Sequence, residues 1–245
     1  MTYCLGIKTK EGLVAIADTR ITSGTNKSTK KKIYVQQREK HSLFIMTSGL
    51  RSVRDKAVVY FEELFSEGSI THYNKMYKAV NAFGEQVKRV AAEDEQALEK
   101  AGLKFNLNTI IGGQLKDDEE HKLFLIYSQG NWVEVNDDSP FVIIGNSGYG
   151  KTLLNRVLNS DFTLKQALKA GFLSFDSTRL SSNDVGFPID VVLYEKDAYH
   201  MSENRYTASD MKEMSQLWDT KLKQVLYELP EDWMKDAANK TINKN

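Results

Sequence analysis

The sequence predicts an α+β layered protein, and three observations predict it. Short apolar and alternating runs fill the first 48 residues, then a helical period holds from Arg51 to Glu99. The chain next returns to strands before two further helical stretches, one more strand and a last helix. Strands grouped with strands and helices with helices favour stacked layers over a β-α-β alternation.

The elements follow in order. Cys4–Ile7, Leu13–Asp18, Ile33–Gln36 and Leu43–Thr47 read as strands, separated by Gly12, Gly24 and charged turns. Arg51–Phe65 carries Val53, Ala57, Val58, Phe61, Leu64 and Phe65 at helical spacing. Tyr73–Glu99 repeats the stripe through Met76, Val80, Phe83, Val87, Val90 and Leu98, and Gly102 ends it. Strands are expected again at Asn108–Gln114, Lys122–Tyr127, Trp132–Val135 and Phe141–Ile144. Lys151–Leu158 and Leu164–Ser174 read as helices, Ile189–Glu195 as a strand and Asp210–Leu229 as a helix. That last helix gathers Met214, Leu217, Leu222 and Val225 on one side. Its Met211, Met214 and Trp218 suit a subunit contact or packing on the parent domain. Asn239–Asn245 is a polar tail, expected to fray.

Composition narrows the function. The 33 basic and 33 acidic side chains cancel, and Lys30-Lys31-Lys32 is the one basic run, so nucleic acid is not an expected partner. Three prolines and no low-complexity tract leave no linker, so a single domain spans 1–245 with a helical extension from about 208. The lone Cys4 fits a reducing compartment and core packing. No apolar run approaches the roughly 20 residues of a membrane span, and MTYCLGIKTKEG has no secretory core. These features point to the cytoplasm and away from a membrane. His41, His72, His121 and His200 share no ligand spacing, so neither a metal nor a cofactor is expected.

Two motifs compete for the chemistry. Gly145-x-x-x-x-Gly150-Lys151-Thr152 satisfies the P-loop pattern for nucleotide phosphates. Its surroundings do not, because several strands and two long helices precede it. No strand ending in an acidic residue is placed to hold Mg²⁺. A nucleotide-binding enzyme using Gly145–Thr152 therefore stands as the alternative. The other motif is Thr2. Removal of Met1, which a small second residue permits, leaves a hydroxyl and an α-amine on one residue. An α-amine of ordinary pKa about 7.7–8.0 can accept the hydroxyl proton near neutrality. Asp18 ends the strand in VAIADTRIT, and KKKIYV leads into another strand. A lysine beside the threonine would lower the hydroxyl pKa, with an aspartate to orient it. Gly49 in FIMTSGLRS lies between a strand and a helix, where a backbone N–H can meet an oxyanion.

Taken together, Thr2, ADTR at 17–20, KKIYV at 31–35 and TSGLRSVRD at 47–55 resemble the proteasome β-subunits. The resemblance covers about residues 2–200. The TYCLGI start without a propeptide and the helical C-terminal extension look most like the bacterial Anbu subfamily. It implies the four-layer αββα sandwich of N-terminal nucleophile hydrolases and a threonine-dependent amide hydrolase acting on peptides. It further implies self-association into a ring-like or stacked homo-oligomer; whether an ATPase partner exists stays open in the sequence. By motif, Thr2 corresponds to the nucleophile, Asp18 to its acidic partner and Gly49 to the oxyanion glycine. Lys32 corresponds to the active-site lysine, with a spacing from Thr2 one residue shorter than usual, so Lys31 stays an alternative. The family's serine-glycine turn falls on Ser147-Gly148, placing Ser147 near the threonine amine. SSNDVGFPIDVV occupies the place of an acidic-serine cluster, and the roles of Ser182 and Asp184 within it stay open. A self-assembling scaffold with a silent threonine site is the third reading.

Overall fold

In the computed structural model, residues 2–23, 26–66 and 73–235 are described. Met1, Gly24, His72 and the 239–245 tail, all named above, lie outside them. Residues up to Thr207 form one compact unit, and those from Ala208 form another.

The first unit holds two five-stranded sheets. One has the order β10-β1-β2-β11-β12, from Phe141–Gly145, Tyr3–Thr9, Gly12–Asp18, Ile189–Glu195 and Met201–Tyr206. The other has the order β5-β6-β7-β8-β9, from Ile33–Arg38, His41–Gly49, Leu107–Leu115, Lys122–Ile126 and Trp132–Glu134. Every pairing in both sheets is antiparallel. A small hairpin, β3 (Arg20–Ser23) with β4 (Asn26–Thr29), stands apart.

Period-two alternation sorts the side chains into layers. In β6, Phe44 and Met46 join Cys4, Ala15, Ala17 and Ile110 in the core between the sheets. Leu43 and Ile45 turn the other way, into a core with Phe61 of α1 (Arg51–Ser66) and Val80 and Phe83 of α2 (Met76–Lys100). On the far side, α4 (Leu164–Ser181) brings Gly171 so close that an added methyl would strike Ile16 and crowd Leu5. A short α3 (Lys151–Val157) packs beside α4. The result is the αββα sandwich, with helices covering both outer faces of the sheet pair.

The sequence reading finds every one of these helices and misses three strands. β3, β4 and β12 are polar, and β12 is an edge strand whose side chains are largely exposed, so no apolar alternation marks them. α4 runs past the expected end at Ser174 because its next inward positions are polar. Ser174, Asp176 and Thr178 are buried, with the Thr178 hydroxyl donating to the Ser174 carbonyl at 2.9 Å. The second unit holds α5 (Lys212–Glu228) and a 3-10 turn at Asp232–Met234. α5 has no buried residue and leaves Leu217, Leu222, Val225 and Leu226 exposed.

Candidate active site

Thr2 immediately precedes β1, between the ends of its neighbours β10 and β2. Its carbonyl accepts the Asn146 N–H at 2.7 Å. Gly145 has φ +86°, and an added Cβ would lie 1.9 Å from that same carbonyl oxygen. Glycine is required here twice over, by the left-handed backbone and by the contact.

Asp18 ends β2 and is fully buried. Its Oδ1 accepts the Tyr3 N–H at 2.8 Å and the Lys32 ammonium at 2.7 Å. One carboxylate oxygen therefore ties the lysine to the residue that follows Thr2. Oδ2 accepts the Arg20 N–H at 3.2 Å. Burial pushes the Asp18 carboxyl above the ordinary value, opposed by Lys32 and by the backbone N–H groups of Tyr3 and Gly186. Lys32 is 1% exposed and also donates to the Arg20 carbonyl at 2.8 Å. The β3–β4 hairpin delivers it there: at the hairpin's base the Lys30 N–H bonds the Thr19 carbonyl at 2.8 Å. The chain thus returns to its starting point before Lys32. Lys31 leaves in another direction and pairs with Glu203 on β12.

A cavity of about 510 Å³ opens at this point, of a size suited to small-molecule or side-chain binding. Thr2, Lys32 and Gly49 share its wall with Ser48, Asn106 and several cationic residues. Gly49 has φ +144°, and a Cβ there would fall 2.0 Å from the Asn106 carbonyl. The adjacent Leu50 N–H donates to that carbonyl at 3.0 Å, which fixes the turn from β6 into α1.

Ser147, Ser182 and Asp184 are not among the residues lining the cavity. Ser147 follows Asn146, in the turn whose backbone closes on Thr2, and its carbonyl accepts the Lys151 N–H at 3.4 Å. The Ser182–Gly186 stretch wraps the back of the site. Arg20 Nη1 donates to the carbonyls of Asn183 at 2.9 Å and Val185 at 3.2 Å, while the Gly186 N–H meets Asp18. Tyr3, Arg20, Arg51 and Arg54 went unassigned in the sequence reading, although ADTR and TSGLRSVRD contain three of them. Tyr3 is buried, with its hydroxyl donating to Ser174 Oγ at 2.7 Å. Burial pushes the thiol of Cys4 up to about 12, so this neighbour of Thr2 is a packed core group.

The P-loop pattern receives a different explanation from the fold. Its strand β10 is an antiparallel edge strand, and its helix α3 spans Lys151–Val157 only. Gly145 closes on Thr2, and Gly150 packs where a Cβ would meet the Ser174 carbonyl at 2.5 Å. Lys151 and Thr152 are exposed. Among the described residues, no cluster of three His, Cys, Asp or Glu side chains is arranged to hold a metal.

A threonine at the head of an inner strand, in an αββα sandwich and beside a buried Lys–Asp pair, defines the proteasome-like class of N-terminal nucleophile hydrolase folds. Residues 2–193 match the proteasome subunit family, and the chain belongs to it. Within that family it stands with the Anbu proteins. An Anbu (Gly-1) mutant from Hyphomicrobium sp. strain MC1 is 34% identical, with a TM-score of 0.87, and the match covers 94% of this chain and 99% of that one. Anbu from Yersinia bercovieri is 29% identical, with a TM-score of 0.86 over 93% of this chain and 98% of that one. The helical assembly of the Anbu complex from Pseudomonas aeruginosa contains a chain 26% identical, with a TM-score of 0.85 and coverages of 93% and 97%. No curated protein matches the chain. No helix among the described residues is long and apolar enough to cross a membrane.

Proposed function

We propose that the protein is a threonine-dependent amide hydrolase acting on peptides, with Thr2 as nucleophile once Met1 is removed. The observation that carries this reading is the cavity shared by Thr2, Lys32 and Gly49, backed by the buried Lys32–Asp18 pair. Two N–H groups of the Lys32 ammonium are taken by Asp18 and the Arg20 carbonyl, which leaves the third for the threonine hydroxyl. The positive charge there favours the alkoxide, and Asp18 holds the lysine in place. The freed α-amine takes the hydroxyl proton as Oγ attacks the substrate carbonyl. The Gly49 N–H receives the oxyanion, the amine returns the proton to the leaving nitrogen, and water then hydrolyses the ester. In this scheme Ser147 supports the amine from its turn, and Ser182 and Asp184 brace Asp18 from behind.

The test is intact-mass analysis with a peptide epoxyketone, alongside hydrolysis of fluorogenic peptides. The expected outcome is loss of Met1, one adduct at Thr2, and a rate that rises with pH through about 7.7–8.0 as the amine loses its proton. Thr2→Ala is expected to drop hydrolysis to background. A Thr2→Ala protein with full activity would sink the mechanism, as would a retained Met1.

The same kinship supports self-association, since the Pseudomonas aeruginosa relative is described as a helical assembly. Light scattering on the purified protein is expected to give a mass of several subunits. A monomer at micromolar concentration would remove this part of the proposal.

A further inference from the structure

The cavity beside Thr2 is charged in a way that the chain as a whole is not. The sequence carries 33 basic and 33 acidic side chains, yet Arg20, Lys32, Arg51, Arg54 and Lys104 all line this cavity and, among the described residues, no carboxylate does. The nearby acids sit behind these cations. Asp18 is buried against Lys32. Asp55 takes Arg54 at 2.8 Å, Lys30 at 2.9 Å and Arg51 at 3.4 Å, so a single carboxylate faces three cations. Burial works to raise the Asp55 carboxyl, but Lys30 and Arg54 together hold it below its ordinary value. Arg20 is met by the carbonyls of Asn183 and Val185, which supply dipoles and no counter-charge. Lys104 has no ionic or hydrogen-bonding partner among the described residues. Arg51 and Lys104 are exposed at the mouth, whereas Arg54 is 5% exposed and held rigidly by two hydrogen bonds to Asp55. Among the described residues, the five cations on this wall share only Asp18 and Asp55 behind them, and a bound anion would relieve the excess.

We infer that this site takes acidic peptides, with a glutamate or aspartate side chain seated in the cavity next to the scissile carbonyl. The inference rests on Thr2 being the nucleophile, and it adds the substrate class. A carboxylate fits the wall because Arg51 and Lys104 can each donate charge-assisted hydrogen bonds from the mouth while Arg54 supplies a fixed field beneath. A substrate lysine or arginine would meet like charge with no acid on the wall to receive it.

Three peptide epoxyketones that share a backbone and carry Glu, Gln or Lys beside the warhead provide the test. The rate of Thr2 adduct formation is read by intact mass. The Glu compound is expected to react at least about tenfold faster than its Gln isostere, with Lys the slowest. That advantage is expected to shrink as salt rises from about 0.05 to 0.5 M. Arg51→Glu and Lys104→Glu, both at exposed positions, are expected to lower the Glu-to-Gln ratio toward one. Equal rates for all three compounds would overturn the acidic preference and leave the nucleophile intact. A Lys compound that reacts fastest would overturn it as well. Failure of every compound to label Thr2 would overturn the nucleophile reading itself and this inference with it.

Discussion

Lys31 and Lys32 are neighbours in one basic run, and the fold gives them opposite environments. Lys31 is 47% exposed and pairs with Glu203, itself 43% exposed, on an edge strand. Lys32 is 1% exposed and faces Asp18 at 0%. The first pair sits in water, where both charges are already well solvated and the attraction is weak. The second has lost its water, so each charge depends on the other and on the Tyr3, Arg20 and Gly186 backbone. Only the second holds a fixed, water-shielded positive charge in the wall of the cavity that Thr2 also lines. The two side chains part in opposite environments, so one position along the chain separates a solvated ion pair from a buried one.

The largest expected effect comes from breaking the buried pair. Lys32→Ala or Asp18→Ala strands a buried charge and should cost about 3–5 kcal/mol in denaturant unfolding. Either should also reduce amide hydrolysis by about 10²–10⁴-fold, the usual scale for losing a positioned proton-handling group. The double variant Asp18→Leu with Lys32→Met separates the two roles. It removes both charges together, so stability should largely return while hydrolysis stays lost. Recovery of activity with stability would show that the pair only braces the fold.

How much of this was legible in the sequence follows the same division. Asp18 could be found because an apolar strand ends on it, and Gly49 because it stands between an alternating run and a helical one. The αββα layering followed from grouped periods together with the proteasome resemblance. The motif pointed to Lys32 with Lys31 as the alternative, but what carries Lys32 to the cavity was not readable, because that depends on the β3–β4 hairpin. TSGTNKST is polar throughout and carries no burial pattern, yet its closure between Thr19 and Lys30 decides where Lys32 lands. The cationic wall was hidden for a different reason. Arg20 lies on β3, Arg51 and Arg54 on α1 and Lys104 between α2 and β7, and equal totals of acid and base conceal a local excess. The P-loop pattern misled in its own way. Its glycines are needed, but by the Thr2 carbonyl and by Ser174, and a pattern cannot say what a glycine is making room for.

The smallest expected effect sharpens the contrast from the other side. Lys31→Met removes a charge next to Lys32 and ends the contact with Glu203, but it strands nothing, because water replaces the partner. Unfolding should shift by less than about 1 kcal/mol. Peptide hydrolysis should stay within about twofold, since a charge this exposed is largely screened before it reaches Thr2. The result that matters is the ratio between neighbours, measured on the same substrate under the same salt. If Lys31→Met lost as much activity as Lys32→Ala, burial would not be what distinguishes the two lysines. The Glu203 pair would then have to be counted as part of the site.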